Sequence, residues 1–233
     1  MNSDNPTDQI SFNLIAICVF GITLSSLVLP LFQVSSTVPI LVVFAIVLGT
    51  TIDGFFLKST AATLLLDAIA STDPVYRQRI IHHEAGHFLV AYLLDIPITG
   101  YTLSAWESWQ QGQSAQGGVM FAPPAADMDA RLLQQYCTVW MAGIAAEKLV
   151  YDKSQGGVED RQKLRGILTL VGKPQQELIQ QENLAGIQAK TLIQAHWEAY
   201  QALVVSMENR SSVAECCGTI ESSRATGAST QIS

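Results

Sequence analysis

Ile80-Ile81-His82-His83-Glu84-Ala85-Gly86-His87-Phe88 holds three of the chain's four histidines and reads H-E-x-x-H from His83 to His87. On a helix, positions four apart lie one above the other, so both imidazoles can reach one metal ion. They supply two of the three protein ligands that a catalytic zinc needs. Glu84 sits about 100° further round the helix, placed to reach a zinc-activated water as general base without ligating the metal itself.

The flanks support a helix. Ser71-Thr72-Asp73-Pro74 offers capping side chains, then a proline at the first helical position, where its missing N–H costs nothing. Residues 88–94 are apolar apart from the Tyr92 hydroxyl, and Asp95-Ile96-Pro97 ends the run. Ala85 and Gly86 are small, which predicts close approach by another element, since a mid-helix glycine otherwise costs about 1 kcal/mol.

The apolar content, 48% of 233 residues, is unevenly spread. No charged residue occurs from Ile10 to Ile52, and residues 10–32 and 39–56 are each long enough for a membrane span of roughly 20 residues. A two-helix transmembrane hairpin is expected, with Pro30 ending the first span and Asp53 near the end of the second. A cleaved signal peptide fits less well, because residues 1–9 carry Asp4 and Asp8 but no lysine or arginine. Lys58, Arg77 and Arg79 follow the second span, so the positive-inside rule places both termini and the following domain on the cytoplasmic or equivalent stromal side. A net charge of −7 without basic clusters excludes a nucleic-acid surface. Cys18, Cys137, Cys216 and Cys217 form no C-x-x-C pair and read as thiols of a reducing compartment.

Beyond residue 57 the pattern is mainly α. Residues 58–70 read as a connector helix. Two short strands are expected at 99–104 and 118–121, joined by a loop at 106–116, with Gly118, Val119 and Met120 as a strand on which a substrate would pair. Helices are expected over 128–151, 158–170 and 175–207, with a short one over 211–221 and a disordered tail over 222–233. The domain plan is 1–57 leader and hairpin, 58–74 connector helix and linker, 75–221 helical peptidase domain with a short β-hairpin, and 222–233 tail.

Two histidines leave the metal geometry undefined. A third histidine at H-x-x-G-x-x-H spacing is excluded, because Val90 and Leu93 occupy the required positions. Glu147, within Ala142-Gly143-Ile144-Ala145-Ala146-Glu147, and Asp160, after Gly156-Gly157, are the carboxylate candidates.

These three motifs, His83-Glu84-Ala85-Gly86-His87, Ala142 to Glu147 and Gly156-Gly157-Val158-Glu159-Asp160, in this order resemble the peptidase part of the FtsH family of membrane-bound zinc proteases, over roughly residues 75–210. The resemblance implies Zn2+ held by His83, His87 and Asp160, Glu84 as the catalytic residue, and Glu147 orienting a histidine or the site. His82 is left outside the ligand set. FtsH enzymes carry an ATPase module between membrane and peptidase parts; no G-x-x-x-x-G-K-[ST] occurs here, so no nucleotide is expected. The implied protein is a stand-alone, membrane-anchored, ATP-independent zinc metalloendopeptidase. Its expected partners are a polypeptide substrate and a lipid bilayer, with self-assembly or association with FtsH-type complexes as further expectations. The alternative is a non-proteolytic membrane partner or assembly factor of such complexes.

Overall fold

The computed structural model describes residues 16–17, 19–25, 41, 44, 60–112, 117–122 and 129–230. The protein is mainly helical with one small antiparallel sheet, as the sequence pattern implies. The expected integral-membrane placement with two spans is not upheld. Among the described residues no helix is long and apolar enough to cross a membrane. Most of the expected hairpin, 10–32 and 39–56, lies outside the described residues.

The chain divides into two units. In the first, α1 (Thr60–Ala70) packs with a short helix, α3 (Ala105–Gln110), and Asp67 accepts the Ala105 N–H at 2.8 Å. The expected loop at 106–116 therefore contains a helix. Its start is a capping pattern: Ser104 accepts the Glu107 N–H at 3.2 Å. Ser71 and Thr72, read as caps for the motif helix, instead donate back to the carbonyls of Ala68 and Ile69 at the end of α1.

The second unit holds Pro74–Leu103 and everything from Gly118 onward. Its central helix, α2 (Pro74–Leu93), begins at the proline as expected. It ends with Asp95 in the left-handed region at φ 56°, where the Ile96 N–H reaches back to the Ala91 carbonyl at 3.0 Å. That 6→1 bond closes the helix, and Ile96 is buried beside it. Strands β1 (Ile98–Thr102) and β2 (Gly118–Phe121) pair antiparallel, Tyr101 opposite Val119 and Thr102 opposite Gly118.

Helix α4 (Ala130–Tyr151), capped by the Asp129 carboxylate on the Leu132 N–H, packs along α2. The crossing point is Gly86. A Cβ there would lie 2.6 Å from the Ala146 Cβ and 2.7 Å from the Ala142 carbonyl oxygen, so the two backbones touch as the small residues of the motif imply. Helices α5 (Val158–Leu170), α6 (Gln175–Ala195), α7 (Trp197–Glu208) and α8 (Val213–Thr230) complete the unit. The single helix expected over 175–207 is two, broken at His196, whose φ of −121° and ψ of 37° are not helical. Trp197 then stacks on Tyr200, whose fully buried hydroxyl donates to the His82 carbonyl at 3.0 Å. The tail expected to be disordered from Ser222 continues α8 to Thr230. That helix starts on a reciprocal cap, with the Ser212 N–H on the Glu215 carboxylate and the Glu215 N–H on the Ser212 hydroxyl.

Candidate metal centre

His83 and His87 face the same way from α2, their Nε2 atoms 3.0 Å apart. Asp160, in the first turn of α5, brings its Oδ2 to 3.1 Å from His83 Nε2 and 3.4 Å from His87 Nε2. His87 and Asp160 are buried. His83 keeps 12% of its side-chain surface. Two neighbours show how tightly the pocket is built. Any side chain at Gly143 would overlap the Nε2 atoms of both rings, and at Gly157, in the left-handed region at φ 90°, one would overlap Ile144.

The hydrogen-bond partners fix the tautomers. His87 Nδ1 lies 2.7 Å from the Val139 carbonyl oxygen, and His83 Nδ1 lies 2.7 Å from Glu147 Oε1. Both partners only accept, so each Nδ1 carries the hydrogen. The neutral rings then turn two bare Nε2 lone pairs and a carboxylate oxygen toward one point. Three acceptors cannot satisfy one another; a cation can satisfy all of them.

Without a metal, a proton takes that role. Burial alone pushes the His83 imidazolium pKa down, but its hydrogen bonds to Asp160 and Glu147 outweigh this and raise it to about 10. Burial would push Asp160 up, yet the His87 and His83 rings hold it well below the usual carboxylate range. A metal ion answers the whole triangle. Tetrahedral coordination at 2.0–2.1 Å implies ligand–ligand edges of about 3.3 Å, close to the 3.0, 3.1 and 3.4 Å separations seen here. The buried His83, His87 and Asp160 group can therefore hold a metal ion. Imidazole nitrogen favours a transition metal or zinc over magnesium or calcium, which take oxygen.

Glu84 stays out of the triangle. Its Oε2 accepts the Val119 N–H at 2.9 Å, and a Cβ at Gly118 would stand in ordinary contact with that oxygen at 3.4 Å, so it is the φ of 124° that calls for glycine there. Gly118 and Val119 thus border Glu84. The Met120 side chain lies over Gly100 and its carbonyl accepts from Thr99.

Glu147, 1% exposed, is not a ligand. Its Oε1 receives His83 Nδ1–H at 2.7 Å and the Gly156 N–H at 3.2 Å; its Oε2 receives the Gln155 N–H at 2.8 Å and Arg79 Nη1 at 3.1 Å. Burial would raise its pKa, but the His83 contact, the Gln155 N–H and Arg79 bring it below the ordinary value. His82 also stands apart, its Nδ1 2.8 Å from the Tyr200 hydroxyl. Two contributors were not anticipated from sequence, the Val139 carbonyl and Arg79. A signal for Arg79 exists, because Arg79, His83 and His87 continue one four-residue helical stripe. No family model matches the chain, and no curated protein is similar to it.

Proposed function

We propose that this chain is a zinc metallopeptidase that hydrolyses peptide bonds with Glu84 as general base, and that it is a relative of the FtsH peptidase unit. The observation that carries the reading is the triangle of His83, His87 and Asp160 with Glu84 held beside it by the Val119 N–H. Two imidazoles and one carboxylate are a donor set that zinc favours, and one that a catalytic zinc uses with a position left open. When bound, zinc would supply Lewis acidity, bringing the pKa of a water down towards neutrality and polarising a scissile carbonyl.

The protein's own groups do the rest. His83, His87 and Asp160 hold the ion, and the Val139 carbonyl and Glu147 keep the two rings aimed at it. Because Glu84 Oε2 is engaged by Val119, Oε1 is the atom free to take the proton of the attacking water and later return it to the leaving amine. Water adds across the peptide bond, yielding one carboxylate and one amine. The three motifs in FtsH order support the polypeptide substrate class.

The test is cleavage of casein and of a quenched fluorescent peptide by purified, zinc-loaded protein. Hydrolysis that is lost in Glu84→Gln supports the reading. Zinc-loaded protein that binds the ion yet cleaves neither substrate sinks it and leaves the non-proteolytic alternative.

A further inference from the structure

We propose that Arg79 is the positioning residue that sets how tightly this centre holds its cation, acting through Glu147 on both His83 and the segment that delivers Asp160. The proposal rests on the metal-binding reading of His83, His87 and Asp160, but not on peptidase activity.

Glu147 receives four donors, two on each oxygen, which fills the lone-pair capacity of a carboxylate. One donor is the ring of a ligand. Two are the backbone N–H groups of Gln155 and Gly156, five and four residues before the ligand Asp160. The fourth is Arg79, whose Nη1 also donates to the Lys153 carbonyl at 2.9 Å while its guanidinium carbon lies 4.1 Å from the centre of the Tyr151 ring. The end of α4, the turn after it and the motif helix are thereby tied at one point. The chain leaves that point through Gly156 and Gly157 and enters α5 with Asp160 in its first turn. A Cβ at Gly156 would stand 2.9 Å from Glu147 Oε1 and 3.3 Å from the His83 ring, so the turn lies directly on the carboxylate and the ligand.

Arg79 is the group whose loss undoes this without touching the metal triangle. Removing it leaves Glu147 Oε2 with the Gln155 N–H alone and takes the donor from the Lys153 carbonyl, so carboxylate and turn loosen together. His83 and Asp160 then lose their fixed separation, and the cation is held by ligands that must be ordered as it binds. Lysine restores the positive charge and a donor, but not the flat guanidinium that lies over the Tyr151 ring while its Nη1 serves both Glu147 and Lys153, so Arg79→Lys should fall between wild type and Arg79→Met.

The experiment uses the full chain stripped with a chelator. Co2+ is titrated against a chromophoric competitor for wild type, Arg79→Lys and Arg79→Met, with thermal melts of the metal-free forms alongside. Arg79→Met is expected to raise the dissociation constant about 10–100-fold and Arg79→Lys a few-fold, the range found when groups that orient metal ligands are removed. The visible absorption of the Co2+ form should change in Arg79→Met, which a loss of fold stability alone does not produce. Binding by Arg79→Met within twofold of wild type, with the same spectrum, overturns the proposal. If Arg79→Met does not fold, Arg79→Lys decides: a dissociation constant at least threefold weaker supports the role, and wild-type affinity overturns it. A wild type that takes up no Co2+ overturns the metal reading and the role of Arg79 with it.

Discussion

His83 Nε2 and His87 Nε2 face each other at 3.0 Å while each ring's Nδ1–H is committed elsewhere, one to Glu147 and the other to the Val139 carbonyl. With both rings neutral, two lone pairs at that separation would repel, and the Asp160 carboxylate adds a third acceptor beside them. The fold supports this arrangement from every side, so the centre calls for positive charge at its middle.

Glu84→Gln keeps the size and the oxygen that accepts from Val119 but cannot take a proton. Peptide hydrolysis should fall by about 10²–10⁴-fold, the typical contribution of a general base, while metal content stays at the wild-type level. Parallel metal analysis and initial-rate assays check this; a mutant cleaving at the parent rate would refute the role.

Asp160→Asn removes a ligand charge, whereas Glu147→Gln removes only the partner of one. The first should bind metal more weakly than the second, which itself should lose about 10–100-fold in affinity. Competition titrations of the two proteins give the order, and the reverse order would exchange their roles.

Gly143→Ala improves helix propensity yet places a methyl group on the Nε2 atoms of both imidazoles. Metal uptake should be lost while the far-ultraviolet circular dichroism remains helical. Undiminished uptake would mean the rings do not point where the structure has them.

Gly86→Ala and Gly166→Ala are the same chemical change in two surroundings. At Gly86 the new Cβ meets Ala146 and the Ala142 carbonyl, so about 1–3 kcal/mol should be lost. At Gly166, mid-helix in α5 with nothing within 4 Å, about 0.5–1 kcal/mol should be gained. Thermal melts of the two variants should move in opposite directions.

In the metal-free protein His83 keeps its proton up to a pKa of about 10, above its ordinary value of 6.5. A raised histidine pKa stabilises the metal-free fold below pH 6.5, and that contribution is lost as pH rises through 10. The cation must displace this proton, so affinity should rise with pH across the neutral range and loading at pH 7 should release about one proton. Calorimetry in buffers of different ionisation enthalpy measures the release; none would mean the nitrogen is already bare.

The metal stripe was legible because it is local: four-residue spacing on one helix fixes which side chains share a face. Asp160 is 73 residues beyond His87, and no periodicity connects them; its place after the Gly156-Gly157 break made it one of two carboxylate candidates, and the ordered motifs of the FtsH resemblance singled it out. Gly86 was legible as a close approach, but its partner was not. The capping pattern Ser104 to Glu107 was present in the sequence and marks a helix where a loop was expected, whereas Ser212 to Glu215 caps the helix expected from 211. The break at His196 has no proline or glycine to announce it. There the buried Tyr200, bonded to both the His82 ring and its carbonyl, marks tertiary packing overriding a continuous helical pattern. The charge-free stretch from residue 10 shows the converse, since apolar composition alone set the expected spans and among the described residues no helix has the length.

The central claim is tested most directly by the metal content of the purified full chain after zinc loading and exhaustive dialysis, compared with His83→Ala. The account predicts about one zinc per wild-type chain and a near-empty variant that still melts cooperatively. Wild-type protein that retains no zinc, or a variant that retains as much, would contradict it.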